Sequence, residues 1–220
     1  MTYSVKETFL SVQGEGAHTG RVSVFVRFTG CNLWSGREVD RAKAVCRFCD
    51  TEFVGMDSRG GGQFETASEL AKMAFSYWPK DQGEPWVICT GGEPLLQLDN
   101  QLIEALHAVG FNIAVESNGT LEAPAGIDWL CISPKAGAPL AQKSGDELKL
   151  VYPQDENRPE DFAQLAFRRF SLQPLEERSN GNSHEREQKN SAHMHAAFKY
   201  CLEHPKWQLS LQTHKWIGVR

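Results

Sequence analysis

Short apolar runs alternate with amphipathic helical patterns along this chain. Most of the runs are short and lack strict alternation, which is typical of strands buried on both faces. Strands are predicted over residues 22–29, 86–89, 112–115, 129–132, 148–152, 169–172 and 208–211. Because strands and helices alternate, we predict an α/β fold with a mainly parallel sheet, open or partly closed.

Three helices between these strands carry signals of their own. Thr66 and Glu69 form a T-x-x-E capping box, and apolar residues follow it at helical spacing. Asp99 is placed to cap a second helix, which Gly110 would end. The third helix is predicted through Ala196, Phe198 and Leu202 to Pro205.

The stretch 176–191 contains no apolar residue. Since such a segment cannot bury apolar surface, we predict a solvated loop or a disordered insertion there. Its His184, and His193 just beyond it, are therefore expected to be exposed to solvent and not to bind a metal.

Composition places the chain among ordinary globular proteins. Of its 220 residues, 40% are apolar and 23% charged, which excludes disorder and coiled coil for most of the length. The net charge of −5 gives no reason to expect bulk attraction to nucleic acid or to anionic membranes. A complete (β/α)₈ barrel typically needs about 250 residues, so we predict one domain over residues 1–220, built as a contracted partial barrel.

How the cysteines are interpreted depends on whether the protein is in a reducing or an oxidising compartment. The start of the chain lacks a basic segment followed by an apolar one, and no apolar run reaches the ~18 residues of a membrane-spanning helix. We therefore expect a cytoplasmic protein in a reducing environment. The six cysteines are then better interpreted as metal ligands, catalytic groups or buried thiols than as disulfides.

Polar and glycine-rich segments follow six of the predicted strands directly. Because parallel strands present their carboxyl ends at one edge, these segments predict a single site there. They begin at Arg27 and Cys31, at Thr90-Gly91-Gly92-Glu93, at Glu116-Ser117-Asn118, at Ser133-Pro134-Lys135, at Gln173-Pro174 and at Thr213-His214.

Three cysteines form a candidate metal centre: Cys31, then Cys46 and Cys49 in a C-x-x-C pair. A structural zinc site wants four ligands, and only Asp50 is near enough in sequence to serve as the fourth. An iron–sulfur cluster held by three thiolates would keep one iron open for catalysis. The spacing alone favours a zinc site and an iron–sulfur cluster about equally. The other three, Cys89, Cys131 and Cys201, are expected to be buried structural thiols.

The Thr90-Gly91-Gly92-Glu93-Pro94 segment favours the iron–sulfur interpretation. Glycines let a turn approach a ligand closely, and Glu93 offers a carboxylate to a ligand ammonium group. Joined to three cysteines at the same sheet edge, the segment resembles part of a radical S-adenosylmethionine site.

The order of motifs resembles one family of these enzymes in particular, the 7-carboxy-7-deazaguanine synthases. The first cysteine interval is expanded to fourteen residues, giving C-x14-C-x2-C. The chain also carries S-V-Q-G-E-G, R-F-T-G-C-N, C-D-T, C-T-G-G-E-P, V-E-S-N-G, S-P-K, Q-P and Q-T-H-K in consistent order. The resemblance covers nearly the whole length and implies a partial barrel of the radical S-adenosylmethionine type.

The resemblance implies that Cys31, Cys46 and Cys49 hold a [4Fe–4S] cluster, on which S-adenosylmethionine is cleaved to a 5′-deoxyadenosyl radical. It also implies Mg²⁺, with the Thr51 hydroxyl as its protein ligand. The residues that it assigns to S-adenosylmethionine are Phe48, Asp50, Gly92, Glu93, Ser133, Pro134, Lys135, Gln173, Pro174, Leu175 and Glu176.

The implied activity is that of a lyase of queuosine (7-deazapurine) biosynthesis, which contracts the ring of 6-carboxy-5,6,7,8-tetrahydropterin to 7-carboxy-7-deazaguanine and releases ammonia. Glu15 and Glu116 suit the guanidine-like edge of a pterin as bidentate acceptors, and Arg27 suits its carboxylate. The residues expected to bind substrate are Val12, Gln13, Gly14, Glu15, Arg27, Thr90, Glu116, His214 and, through the terminal carboxylate, Arg220.

By analogy with the family, we expect a homodimer that takes electrons from a flavodoxin-like reducing partner. Two alternatives stay open at this point. A glycyl-radical-enzyme activase would share the cluster chemistry but act on a protein, and a non-catalytic zinc-binding protein would use the same cysteines without a cluster.

Overall fold

The computed structural model describes residues 2–80, 82–177 and 183–219. Within them, nine strands form one mixed sheet in the order β3-β1-β2-β4-β5-β6-β7-β8-β9. The strands are β1 Tyr3–Val12, β2 Val22–Phe28, β3 Gly62–Phe64, β4 Trp86–Gly91, β5 Asn112–Ser117, β6 Trp129–Ile132, β7 Ser144–Tyr152, β8 Ala166–Pro174 and β9 Trp207–Leu209.

The strands from β2 to β9 in this order pair in parallel, while β1 is antiparallel to both β2 and β3. The predicted α/β fold with a mainly parallel sheet is therefore confirmed. All the parallel strands present their carboxyl ends at one edge, so residues that follow different strands come together there.

Helices connect strands of the sheet and cover one of its faces, and a short last helix follows the final strand. They are α1 Ala67–Phe75, α2 Asn100–Ala108, α3 Pro159–Phe162, α4 Ser183–Glu203 and α5 Thr213–Ile217, with short 3₁₀ turns at Gly16–His18, Glu38–Lys43 and Pro94–Leu96. The predicted caps form: the Thr66 hydroxyl accepts from Glu69 N at 3.2 Å, and Asp99 accepts from Leu102 N at 2.9 Å.

The period of two along the strands separates a core face from a cavity face. The main apolar core takes alternate residues of each strand under α1, α2 and α4, including Val26, Cys89, Val115 and Leu148. The residues between them face the other side. They begin with a small apolar group, Phe25, Ile88 and Ala114, and continue toward the carboxyl edge as Arg27, Thr90, Glu116, Lys149 and Gln173.

The sequence did not predict β1 or β3. In β1, the polar residues Lys6, Glu7 and Thr8 are buried in succession, which removes the apolar pattern that marks a strand. The last strand was predicted at 208–211 but pairs with β8 from Trp207 to Leu209.

The predicted loop at 176–191 is wrong for residues 183–191, which form the exposed first turns of α4. Positions 178–182 of that stretch lie outside the described residues. The helix predicted through Ala196, Phe198 and Leu202 is present, but Phe198 is 49% and Leu202 66% exposed while Ala197 is buried against the core. Cys201 is only half-buried, whereas Cys89 and Cys131 are buried as predicted.

His184 is exposed, but His193 is half-buried and its Nδ1 lies 2.8 Å from the carbonyl oxygen of Leu175. None of the helices formed by the described residues is long and apolar enough to cross a membrane.

Candidate active site

A cavity of about 490 Å³ lies at the carboxyl edge of the parallel strands. Its floor is made by inner-face side chains of β2, β4, β5, β7 and β8, and its mouth by the segments that follow those strands. Because side chains alternate along a strand, the polar residues at positions that do not face the core point into the cavity.

Two carboxylates and a lysine form the centre of the polar floor. Lys149 Nζ lies 2.8 Å from Glu15 Oε2 and 2.9 Å from Glu116 Oε2, and the lysine is 5% exposed. Gln212 Nε2 donates to Glu15 Oε1 at 2.8 Å, and Gln13 Nε2 donates to Glu116 Oε1 at 3.2 Å. Glu15 and Glu116 are therefore held side by side and each has lone pairs for a ligand's N–H groups.

Burial and the charge of Lys149 shift the pKa values of the two carboxyls in opposite directions. Burial works to raise the pKa of Glu15, but the charge of Lys149 and hydrogen bonds from Lys149 and Gln212 outweigh it, and the pKa is lowered. The pKa of Glu116 is raised, because burial outweighs Lys149 and Glu15 adds a like charge. Burial alone would lower the pKa of Lys149, yet Glu116 and Glu15 raise it well above its usual value.

The connection between β1 and β2 carries Gln13 and Glu15, and it is fastened to the far side of the sheet. Glu147 of β7 is buried and accepts from Ala17 N at 2.9 Å and from the Ser171 hydroxyl. The carbonyl of Gly14 accepts from Thr213 N at 2.9 Å. Gly16 has φ +63°, and a Cβ there would lie 2.8 Å from the Glu147 oxygens, so this position requires glycine.

Arg27 reaches the cavity but is already paired. Its Nε donates to Glu7 Oε1 at 2.9 Å, and both side chains are mostly buried. The guanidinium has five N–H donors, so further donors are available for a carboxylate in the cavity.

The three candidate ligand cysteines line the same cavity at its mouth. Cys46 and Cys49 share a hydrogen bond, which raises the pKa of Cys46 and lowers that of Cys49 to about 6. Burial raises the pKa of Cys31, whose sulfur accepts from Leu33 N at 3.4 Å. Two half-buried thiols and one buried thiol with N–H donors nearby are a donor set that fits an iron–sulfur cluster.

The close approach at Gly92 supports the same fit. A Cβ there would lie 1.9 Å from the carbonyl oxygen of Gly30 and 3.0 Å from Cys31 Cβ, so this turn packs directly against the first cysteine. In the described ranges no group of three or more His, Cys, Asp and Glu side chains could hold a single metal ion.

Glu93 does not line the cavity. Its side chain is fully buried and accepts from Leu95 N at 3.0 Å, the Ser117 hydroxyl at 2.8 Å and Asn118 N at 2.7 Å. Burial raises its pKa. Glu93 thus joins the end of β4 to the end of β5, while Gly91 and Gly92 line the cavity, and its contact with a ligand ammonium stays a prediction.

In the segment after β6, too, some of the predicted residues line the cavity and others do not. Ser133 and Lys135 line the cavity, and Lys135 Nζ lies 2.6 Å from both oxygens of Ser133. Pro134 does not line it, and its carbonyl accepts from Asn157 Nδ2 at 3.1 Å.

The mouth is bridged by Lys215 of α5. Its ammonium lies 2.9 Å from Asp50 Oδ2 and also contacts Glu176 and Gln212. Burial works to raise the pKa of Asp50, but Lys215 lowers it. Three chain segments remote in sequence therefore meet above the cavity.

The structure brings nearly all the predicted residues to one cavity. Those assigned from the sequence to metal or cofactor that line it are Cys31, Cys46, Phe48, Cys49, Asp50, Thr51, Gly92, Ser133, Lys135, Gln173, Pro174, Leu175 and Glu176. Those assigned to substrate that line it are Val12, Gln13, Gly14, Glu15, Arg27, Thr90, Glu116 and His214. Glu93 and Pro134 lie behind it, and Arg220 falls outside the described residues.

Several lining residues were not predicted, namely Lys6, Glu7, Lys149, Gln212 and Lys215. A signal for Lys149 existed, because a lysine between Leu148 and Leu150 in a buried strand must face the side opposite the core. Lys6 and Glu7 had no such signal, since β1 was not predicted.

A partial barrel with three cysteines and a polar cavity at its carboxyl edge defines the class of radical S-adenosylmethionine enzymes. Sequence similarity over the full length of the chain identifies one family within this class. The chain is 57% identical over 219 residues to the 7-carboxy-7-deazaguanine synthase of Caulobacter vibrioides and 54% identical to those of Bordetella pertussis and Bradyrhizobium diazoefficiens, covering 100% of each chain. The chain belongs to the family of 7-carboxy-7-deazaguanine synthases, which confirms the resemblance inferred from its motifs.

The chain can also be compared with models of protein families and with solved structures. A scan against models of protein families finds no match. The crystal structure of QueE from Escherichia coli superposes with a TM-score of 0.68 over 96% of this chain and 94% of that chain, at 22% identity, and so shares the fold.

Proposed function

We infer that this chain is a radical S-adenosylmethionine lyase that converts 6-carboxy-5,6,7,8-tetrahydropterin to 7-carboxy-7-deazaguanine with release of ammonia, a step of queuosine biosynthesis. The observation that carries the inference is the 50–57% identity, over their whole length, to five relatives named for this product. The activase and zinc alternatives have no comparable support.

Cys31, Cys46 and Cys49 hold the [4Fe–4S] cluster in this proposal. When bound, the cluster and S-adenosylmethionine supply the electron and the radical that removes hydrogen from C6 of the pterin. Around them, the chain positions the cofactor: Gly92 lets the backbone approach closely, and Phe48, Asp50, Ser133, Lys135 and the segment from Gln173 to Glu176 line the space beside the cysteines.

The substrate lies deeper, over the carboxylate pair. Glu15 and Glu116 accept hydrogen bonds from the guanidine-like edge of the pterin, and the buried ammonium of Lys149 lies between them, where its charge lowers the pKa of Glu15 and opposes the effect of burial on that of Glu116. Arg27 binds the 6-carboxylate with the donors that Glu7 leaves free. Gln13, Gly14, Val12, Thr90 and His214 complete the walls.

Mg²⁺ is proposed at Thr51, which lines the cavity together with its sequence neighbours Asp50 and Glu52. Magnesium prefers oxygen ligands and keeps several waters, so one protein hydroxyl together with substrate oxygens suits it. Omitting Mg²⁺ should lower turnover, and Thr51→Val should make turnover insensitive to it.

We further propose one catalytic domain over residues 1–220 that works as a homodimer in the cytoplasm and receives electrons from a reducing protein donor. The six free cysteines fit a reducing compartment. Light scattering of the purified protein tests the dimer directly.

The decisive experiment incubates the anaerobically reconstituted and reduced protein with S-adenosylmethionine, Mg²⁺ and the carboxy-tetrahydropterin. Mass spectrometry should show loss of ammonia and formation of the deazapurine. Cys49→Ala should lose iron and all turnover. The matched control is Cys201→Ala, a half-buried thiol on α4 away from the cavity, which should keep both.

Failure of the reconstituted protein to form the deazapurine would contradict the assigned reaction. A colourless protein that retains zinc would instead favour the zinc alternative. Glu116→Ala separates the substrate assignment from the cofactor assignment, because it should abolish pterin turnover while sparing uncoupled cleavage of S-adenosylmethionine.

A further inference from the structure

Helix α5 lies at the mouth of the cavity and is bonded to the connection between β1 and β2. Thr213 N and Thr213 Oγ1 donate to the carbonyl oxygen of Gly14 at 2.9 and 3.2 Å. His214 packs so closely on the same residue that a Cβ at Gly14 would lie 2.1 Å from His214 Nδ1. The start of α5 is therefore seated on the connection that carries Glu15, on the substrate side of the cavity.

One side chain bonds the same helix to the cofactor side of the cavity. Lys215 Nζ lies 2.9 Å from Asp50 Oδ2 and also contacts the carboxylate of Glu176. Asp50 directly follows the C-x-x-C pair and Glu176 follows β8, and both line the space proposed for S-adenosylmethionine. Within the described part of the chain, Lys215 is the only basic side chain that forms an ion pair with either carboxylate.

Gln212, just before α5, connects the two sides through its amide. Its Nε2 donates to Glu15 Oε1 at 2.8 Å and lies 3.3 Å from Asp50 Oδ2, and its Oε1 accepts from Lys215 Nζ at 2.9 Å. Glu15 pairs in turn with Lys149 on the cavity floor. A continuous chain of hydrogen bonds and ion pairs thus leads from the cofactor side of the mouth to the floor of the substrate side.

Helix α5 depends on these polar contacts to stay in place. It is five residues long and none of its residues is buried, and its apolar Trp216 and Ile217 are exposed. Helices this short are not stable by themselves in water. The contacts with Gly14 at one side and with Asp50 and Glu176 at the other therefore hold the helix in the position seen here, which we call the seated position.

We propose that Lys215 is a positioning residue that makes the binding of S-adenosylmethionine and the binding of the pterin depend on each other. The proposal rests on the proposed function, which places these two ligands in the two halves of the cavity. Lys215 holds α5 to the segments that line the cofactor half, and α5 holds His214 against the substrate half.

Both ligands favour the seated position of α5. A cofactor that orders the segments of Asp50 and Glu176 keeps the acceptors of Lys215 in place, and so holds the helix down from one side. A pterin that contacts His214 and Glu15 holds it down from the other. Because the two ligands favour the same arrangement, each should raise the affinity for the other by the same factor.

Binding is measured on the anaerobically reconstituted enzyme without a reductant, so that both ligands bind but no turnover follows. Isothermal titration gives the Kd of the carboxy-tetrahydropterin with and without saturating S-adenosylmethionine. In the native chain, S-adenosylmethionine should lower this Kd about tenfold, or ~1.4 kcal/mol, and the pterin should lower the Kd of S-adenosylmethionine by the same factor.

Variants of Lys215 separate positioning from folding. Lys215→Met removes the charge and keeps an unbranched side chain, so the factor should fall from about ten to about one. Lys215→Arg keeps a positive charge with donors for both carboxylates and should keep most of the factor. A variant that was only less stable would bind each ligand more weakly but would keep the ratio of the two Kd values.

Lys199→Met is the matched control, because Lys199 also forms an ion pair, with Glu203 at 3.8 Å, but lies on α4 and does not line the cavity. It should keep the native factor. The proposal is overturned if the two ligands bind independently in the native chain, if Lys215→Met keeps the native factor, or if Lys199→Met or Lys215→Arg loses it. If the native enzyme binds neither ligand, it is the proposed function that fails.

Discussion

Lys149 decides the charge state of the cavity floor at the scale of single residues. It is buried between Glu15 and Glu116, and both carboxylates depend on its charge. Removing one partner of a buried ionic group is costly, because the remaining charges are left without compensation.

We therefore predict that Lys149→Met lowers the free energy of unfolding by about 3–5 kcal/mol near neutral pH. Without the lysine, burial raises the pKa of both carboxyls above their unfolded values. A carboxyl whose pKa is raised by folding loses stability as pH rises through that range, so the deficit should be larger at about pH 8 than at about pH 5. Urea unfolding of native and variant protein at both pH values measures it.

Lys72→Met serves as the control, since Lys72 is exposed on α1 and its loss should change little at either pH. A deficit for Lys149→Met that grows toward acid pH would contradict the assigned charge states.

Residue-level prediction from the sequence succeeded where the topology alone brings residues together. Thr90, Glu116 and Gln173 each lie at the carboxyl end of a parallel strand, and such ends meet whatever the loops do. It missed contacts that are set by packing. The carboxylate of Glu93 accepts from Ser117 of β5 and from Asn118 directly after it, and no local pattern around Glu93 indicates these partners.

At the scale of elements, helix α4 shows where prediction from the sequence stops working. The polar stretch at its start indicated a loop, because a helix is recognised by an apolar face and residues 183–191 have none. Further along, the large apolar residues that mark the helix in the sequence do not make its core contact: Phe198 and Leu202 are exposed, while the small Ala197 is buried against the core.

The stability of α4 should therefore depend on Ala197 and not on Phe198. Ala197→Leu adds volume to a fully buried contact and should cost about 1–3 kcal/mol of unfolding free energy. Phe198→Ser should change stability by less than about 0.5 kcal/mol. Thermal denaturation of the two variants checks the assignment, and the reverse order would show that the helix packs through Phe198.

At the scale of the whole molecule, the connection between β1 and β2 closes a barrel that its strands leave open. The connection starts at one end of the sheet order and is bonded to β7 and to the segment after β9 at the other. The contact between Glu147 and Ala17 N spans 130 residues of sequence, and no local pattern could have indicated it. Since this connection carries Gln13 and Glu15, closing the barrel and forming the pterin site are one event.

Glu147 should accordingly act as a positioning residue for Glu15. Glu147→Ala leaves Ala17 N and the Ser171 hydroxyl without their acceptor, which should cost about 1–3 kcal/mol of stability. The freed connection should raise KM for the pterin about tenfold, or ~1.4 kcal/mol, with little change in KM for S-adenosylmethionine. Glu147→Gln is the rescue, because its amide oxygen can accept from Ala17 N while its amide nitrogen donates to Ser171. Steady-state kinetics with each substrate varied in turn separates the two constants. An equal rise in both, or a glutamine variant as impaired as the alanine, would mean that Glu147 supports the fold without placing Glu15.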